Sequence, residues 1–251
     1  MGRFASTVAY YERARQPYSE AFFATVAREL HFDRVQRLID LGTGPGVLAL
    51  GFAPFCGELT GVDPEPAMIA AARQAAQRAG VALRLIEGRV EALPPDIGSF
   101  DVVTIGRALH WMEPAATRGA LEGLVRDNGR VLICRAFTVA EGNPWLGAYD
   151  AVRKRWSERR EGGRDRADLD AFFGGTRFRR RPTLAAETEH STPLERLLDR
   201  ALSMSTSSPE RLGTDEAAFR AALAEALAPF ARDGAVTERV RAQAEVFTRA
   251  P

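Results

Sequence analysis

The densest chemistry in the sequence lies in Asp40-Leu41-Gly42-Thr43-Gly44-Pro45-Gly46. Glycines at alternate positions let the backbone adopt turns that other residues resist, and let it approach a ligand closely. The loop follows the apolar run RLIDLG (37–42), which reads as a buried strand, and it opens a helical stretch at about 46–54. In open α/β sheets the carboxyl edge of such a strand is where ligands bind. A second acid, Asp63, ends the next apolar run, inside GVDPEPAM (61–68). There its carboxylate can accept hydrogen bonds from both hydroxyls of a ribose. A glycine loop with an acid about 20 residues further on also fits a dinucleotide-binding fold. Two features speak against that. The spacing is G-x-G-x-G rather than G-x-G-x-x-G, and Asp40 stands directly before the loop, where it would repel a pyrophosphate. An acid directly before the loop suits a cationic ligand without phosphate.

Five stretches, in order, carry a family resemblance: LIDLGTGPGV (38–47), GVDPEPAMI (61–69), EGRVEALP (87–94), FDVVTIGRALHWM (100–112) and GRVLI (129–133). With them the sequence resembles the class I S-adenosylmethionine-dependent methyltransferases, in particular the type 11 small-molecule subgroup (trans-aconitate methyltransferase-like). S-adenosylmethionine has a sulfonium and an amino group and no phosphate, in keeping with the acid before the loop. The resemblance implies a bound S-adenosylmethionine, converted to S-adenosylhomocysteine, and no metal. It implies that Asp40 and the backbone of Gly42, Thr43, Gly44 and Gly46 hold the methionine end, and that Asp63 binds the ribose. The adenine would meet the turn at Arg89, Val90 and Glu91. The family commonly has an acid where this chain has Arg89, which cannot accept from the adenine amino group; backbone groups of Arg89 and Val90, or Glu91, are left for that contact. The opening YYERARQPY (10–18) resembles the family's Y-x-x-x-R-x-x-Y, in which Tyr11 and Arg15 would reach the methionine carboxylate, a partner that arginine pairs with well.

In the fold so implied, the residues after the fourth strand face the reactive methyl. Here they are Gly106-Arg107-Ala108-Leu109-His110-Trp111-Met112. The sulfonium already activates the methyl, so an enzyme chiefly aligns donor and acceptor. A base is needed only when the acceptor has a proton to lose. His110 is then the natural candidate, because its pKa lies near working pH; the alternative is a packing residue that closes the pocket. Trp111 offers one indole donor and a broad apolar wall, or else packs in the core. Leu-His-Trp at this place resembles methyltransferases that esterify carboxylates, which are nucleophilic without a base.

These residues need a sheet to hold them. Strand-like runs at 37–42, 58–63, 81–88, 99–106 and 130–139 alternate with helical stretches at 46–54, 64–80 and 114–126. This predicts an α/β fold with a parallel sheet covered on both faces. The resemblance implies a Rossmann-like class I methyltransferase sheet in the order 3-2-1-4-5-7-6. Residues 19–30 read as a helix capped by Ser19, after an earlier helical piece that Pro17 breaks. Beyond 139 the alternation loosens. Residues 144–172 and 193–231 read as helical, 176–189 as a strand and 240–250 as a final strand. A single domain over 1–251 is expected, with its core at about 35–139 plus the C-terminal strands, and a helical lid from 1–30 and about 140–235.

The formal net charge of +1 argues for neither nucleic acid nor an acidic surface as partner. The arginines of 153–166 and 177–181 are interrupted by acids and read as a solvated, salt-bridged face. No run approaches the ~20 apolar residues that a membrane span needs, and the N-terminus has no apolar leader. Two cysteines in apolar settings suit a reducing cytosol, so the expected place is cytoplasmic. The sequence has no N/D-P-P-aromatic motif, no Pro-Cys pair and no metal-ligand spacing among His31, His110 and His190. The expected function is methyl transfer to a small-molecule acceptor, at a carboxylate or hydroxyl oxygen. An RNA or protein methyltransferase, a cofactor-binding protein of the same fold without transfer, and a nicotinamide oxidoreductase are the rivals.

Overall fold

A computed structural model describes residues 15–157, 168–204 and 207–250. Tyr11, the helical piece before Pro17 and most of the arginine-rich stretch at 153–166 lie outside them. The described chain divides into two compact units. One holds residues 18–135, 168–186 and 242–250; the other holds 15–17, 136–157, 187–204 and 207–241.

The first unit is built on β1 (Arg37–Leu41), β2 (Glu58–Asp63), β3 (Arg84–Glu87), β4 (Phe100–Gly106) and the first part of β5 (Val125–Thr138). All of these neighbours pair in parallel, β2 with β3 and β1, β4 with β1 and β5. Leu38, Ile39 and Leu41 on β1 and Val102, Val103 and Ile105 on β4 are fully buried. Near-continuous apolar runs are what strands covered on both faces require. The last strand, β8 (Ala235–Arg249), lies between β5 and the short β6 (Phe178–Arg180), which runs antiparallel to it. The order is therefore 3-2-1-4-5-8-6, with one more strand, β7 (Leu184–Pro193), also paired to β8. This is the arrangement expected from the sequence, with its final strand renumbered by the added β7. Phe247 of β8 stacks on Phe173 with centroids 3.9 Å apart, which ties the end of the chain into the sheet's core.

Helices α1 (Glu20–Glu29), α2 (Val47–Phe52), α3 (Pro66–Ala79), α4 (Pro114–Leu124) and, later in the chain, α6 (Leu169–Phe173) belong to this unit. The caps follow the sequence. The Ser19 hydroxyl accepts from Phe22 N–H, Pro66 opens α3, and Gly80 closes it in the left-handed region. Residues 18–30 cluster with the sheet-bearing unit. The reason is apolar: Phe22, Phe23 and Val26 are buried, and Phe23 meets Phe52 of α2 edge-on at 4.9 Å.

The second unit contains α5 (Leu146–Ser157), α7 (Leu194–Leu202), α8 (Pro209–Leu212) and α9 (Glu216–Leu227), with parts of β5, β7 and β8. Its core gathers Trp145, Tyr149, Leu197, Leu202, Phe219 and Leu223. Within it Arg200 grips Glu238 through both guanidinium ends, at 2.5 and 3.0 Å, and both residues are 1% exposed. Thr138 and Thr192 donate to the same carboxylate, so the pair is fully hydrogen-bonded. Among the described residues no helix is long and apolar enough to cross a membrane.

Candidate functional site

The glycine loop leaves β1 and turns at once. Gly42, Gly44 and Gly46 all have positive φ, at 69°, 54° and 87°, in the region where a side chain is strained. At Gly42 there is also no room: a methyl group built there would lie 2.4 Å from Cβ of Ala108. The N–H groups of Gly42 and Thr43 both donate to the carbonyl of Val62, so the loop is sewn to the end of β2.

Asp63 closes that seam. Its Oδ2 accepts from Gly44 N–H at 2.8 Å and its Oδ1 from Glu65 N–H at 2.9 Å. The carboxylate thereby links the loop after β1 to the turn after β2, and each oxygen keeps a further lone pair for a ligand hydroxyl. Burial pushes its pKa up, and the two backbone donors oppose the rise.

Asp40, expected to help hold the methionine end, is 1% exposed, and each of its oxygens accepts one hydrogen bond. Oδ2 accepts from the Thr43 hydroxyl and Oδ1 from the Thr104 hydroxyl, each at 2.7 Å. The register explains the second contact, because Asp40 and Thr104 are direct neighbours across β1 and β4. Asp40 thus ties the loop to β4 from beneath. Burial raises its pKa to about 6, against the pull of the two threonines, and the charge of Asp63 adds to the rise.

At the far side, after β3, Val90 is buried and Arg89 exposed. Glu91 accepts from Glu113 N–H at 2.9 Å and lies 3.4 Å from Arg89 Nε. Burial alone would raise the Glu91 carboxyl, but these donors outweigh it and hold it low. Its expected contact with adenine therefore competes with a role in seating the start of α4.

Beyond β4 the chain makes a single 3₁₀ turn, Leu109–Trp111, closed by Trp111 N–H donating to Ala108 O at 2.9 Å. Leu109 points into the core, His110 is exposed and Trp111 is half-buried. The His110 and Trp111 rings lie 4.9 Å apart, tilted by 45°. Gly106 leaves no space above it: a methyl there would be 2.6 Å from Leu48 and 3.5 Å from the Tyr18 hydroxyl. Arg107 has a left-handed φ of 57°, and its guanidinium lies 5.1 Å from the centroid of the Tyr18 ring.

The structure thus brings Asp40, Gly42, Thr43, Gly44, Gly46, Asp63, Gly106, His110 and Trp111 to one edge of the sheet, with Arg89, Val90 and Glu91 next along it. Arg15 belongs to the second unit, where its Nη2 donates to the carbonyl of Ser203 at 2.9 Å. Sequence reasoning missed Thr104, and it quoted Tyr18 and Arg107 within motifs without giving either a role. A lone threonine in an apolar strand was a signal for the first, since a buried hydroxyl needs a partner. Nothing in the sequence marks a left-handed arginine.

Residues 38–127 match the family model described as a methyltransferase domain. An uncharacterized methyltransferase of Mycobacterium tuberculosis is 30% identical over 128 residues, which cover 51% of this chain and 49% of that protein. The uncharacterized methyltransferase YcgJ of Bacillus subtilis is 40% identical over 100 residues, 39% of each chain. The matched region thus spans half or less of the length of these relatives. The solved structure of YcgJ superposes with a TM-score of 0.57 at 19% identity, covering 93% of this chain and all of that one. A methyltransferase of Geobacter sulfurreducens, solved with S-adenosylhomocysteine, gives a TM-score of 0.56 at 17% identity, covering 99% and 98%. The fold is that of the class I, Rossmann-like methyltransferases.

Proposed function

We propose that this chain transfers a methyl group from S-adenosylmethionine to an oxygen of a small organic acceptor, and that the acceptor atom belongs to a carboxylate. The observation that carries the reading is the left-handed glycine loop tied through Gly44 to Asp63. It is a cradle in which backbone, not side chain, meets the ligand, with a carboxylate held at its rim. The likeness to methyltransferases over residues 38–127 supports the same reading.

The residues fit the donor as follows. The Gly42–Gly46 backbone holds the methionine end, Asp63 accepts from the ribose hydroxyls, and the Arg89–Val90 backbone meets the adenine. When bound, the donor supplies a methyl group already activated by its sulfonium. Asp40 acts beneath the loop as a positioning group. Its buried negative charge also favours a cationic ligand nearby.

His110 and Trp111 stand on an exposed turn beyond β4, where an acceptor can reach them. His110 donates to the acceptor carboxylate and orients it, while the Trp111 ring forms an apolar wall. A carboxylate needs no base, so His110 need not take a proton.

Release of S-adenosylhomocysteine from a panel of carboxylates and alcohols tests the proposal. With a carboxylate acceptor, His110→Ala raises KM and leaves kcat within about tenfold. Loss of a general base would instead lower kcat by about 10²–10⁴. A chain that binds the donor yet releases no product with any oxygen acceptor would contradict the proposal.

A further inference from the structure

We infer that Glu91 is a positioning residue that couples the adenine side of the donor to the turn beyond β4 where the acceptor is received, an inference that rests on the methyltransferase reading above. All the residues concerned lie within the sheet-bearing unit. Glu91 stands in a 3₁₀ turn, Val90–Ala92, just beyond β3. Its Oε1 accepts from the N–H of Glu113 at 2.9 Å, and its Oε2 lies 3.4 Å from Arg89 Nε. One carboxylate thus joins the turn beyond β3 to the residue that follows Met112.

Glu113 has a second task. It is the N-cap of α4, and its carboxylate accepts from Ala115 and Ala116 N–H. Its carbonyl accepts from Thr117 N–H at 2.9 Å. The first turn of α4 is therefore seated on the residue that Glu91 holds. Beneath this link Val90, Leu109 and Leu121 share one buried apolar cluster.

The stretch from Ala108 to Met112, which carries His110 and Trp111, also rests on the cradle. A methyl group built on Gly42 would lie 2.4 Å from Cβ of Ala108 and 3.4 Å from Cε of Met112. The acceptor turn is thus held against the glycine loop along its length and by Glu91 just past its end. An adenine seated on the Arg89–Val90 backbone restricts the turn that carries Glu91. The restriction passes through the Glu113 N–H to the end of the acceptor turn and the start of α4. Methyl transfer needs such order, because its rate depends on how well donor and acceptor are aligned.

Hydrogen exchange on the full chain tests this, read at the amides of Glu113, Ala115, Ala116 and Thr117 with and without saturating S-adenosylhomocysteine. A thermal melt of each variant reports the fold. In the wild type the ligand is expected to slow these amides about tenfold, a coupling of ordinary size. In Glu91→Ala the slowing falls below about twofold. In Glu91→Gln, which keeps an acceptor for the Glu113 N–H, the slowing returns. Because coupling is reciprocal, Glu91→Ala weakens S-adenosylhomocysteine binding by no more than the same factor of about ten. Slowing that is absent from the wild type, that persists in saturated Glu91→Ala, or that fails to return in Glu91→Gln would overturn the role of Glu91 and leave the methyltransferase reading intact. Failure of the folded wild type to bind S-adenosylhomocysteine would overturn both.

Discussion

Asp40 is a buried acid whose two oxygens accept from threonine hydroxyls on the loop and on β4. Its carboxyl has a higher pKa folded, about 6, than the ordinary 3.8, chiefly because burial disfavours the charge. Folding therefore takes up a proton between these values. Stability from this group is greatest at low pH and falls as the pH rises from about 4 to about 6. The loss is about 3 kcal/mol, at about 1.4 kcal/mol for each pKa unit. Asp63, also raised, acts in the same sense. Asp40→Asn removes the charge and keeps an acceptor for one threonine. Denaturant titrations at pH 4 and pH 7 should show the Asn variant gaining on the wild type by about that amount at the higher pH. A difference that does not change with pH would contradict this account of Asp40. At the level of residues the sequence was half legible. The glycines and Asp63 stand where their types and spacing put them, since a turn that close to a neighbouring strand admits nothing larger. The direction of the Asp40 side chain was not legible, because it depends on the register that sets Thr104 opposite it.

Elements in this chain owe their places to close packing at single residues. Helix α1 lies against α2 because Gly51 has no side chain. A methyl group there would sit 2.0 to 2.4 Å from atoms of the Phe23 ring. Gly51→Ala must move Phe23 or the whole of α1, and overpacking of that kind costs about 1–3 kcal/mol. Equilibrium denaturation measures it, and a neutral or stabilised variant would show that α1 is seated some other way. Gly51 lies inside a helix, where alanine has the better propensity, so a stabilised variant is the outcome expected if packing did not decide. The first five strands and their helices were legible because the apolar runs end in turn residues. The register of β8 was not. Its alternation marks a strand, but the partners β5, β6 and β7 are set by contacts such as Phe173 on Phe247, remote in sequence. The family resemblance, rather than any pattern in the residues, carried the strand order.

At the scale of the whole molecule, the division into two units cuts across three strands, β5, β7 and β8. No composition shift in the sequence marks it. The unit without the parallel sheet is specified in part by the buried Arg200–Glu238 pair. Removing one partner leaves an uncompensated buried charge, which costs about 3–5 kcal/mol. Glu238→Ala should lower stability by that order, with hydrogen exchange rising in α5, α7 and α9; unchanged exchange there would contradict the role of the pair. The glycine cradle and Asp63 lie wholly within the other unit. The central claim is that this cradle binds S-adenosylmethionine. Calorimetric titration of S-adenosylhomocysteine into wild type and Asp63→Ala, each shown to be folded by circular dichroism, tests it most directly. The account predicts micromolar binding to the wild type and a loss of about hundredfold or more in the variant. A folded wild type that binds neither S-adenosylhomocysteine nor S-adenosylmethionine would contradict it.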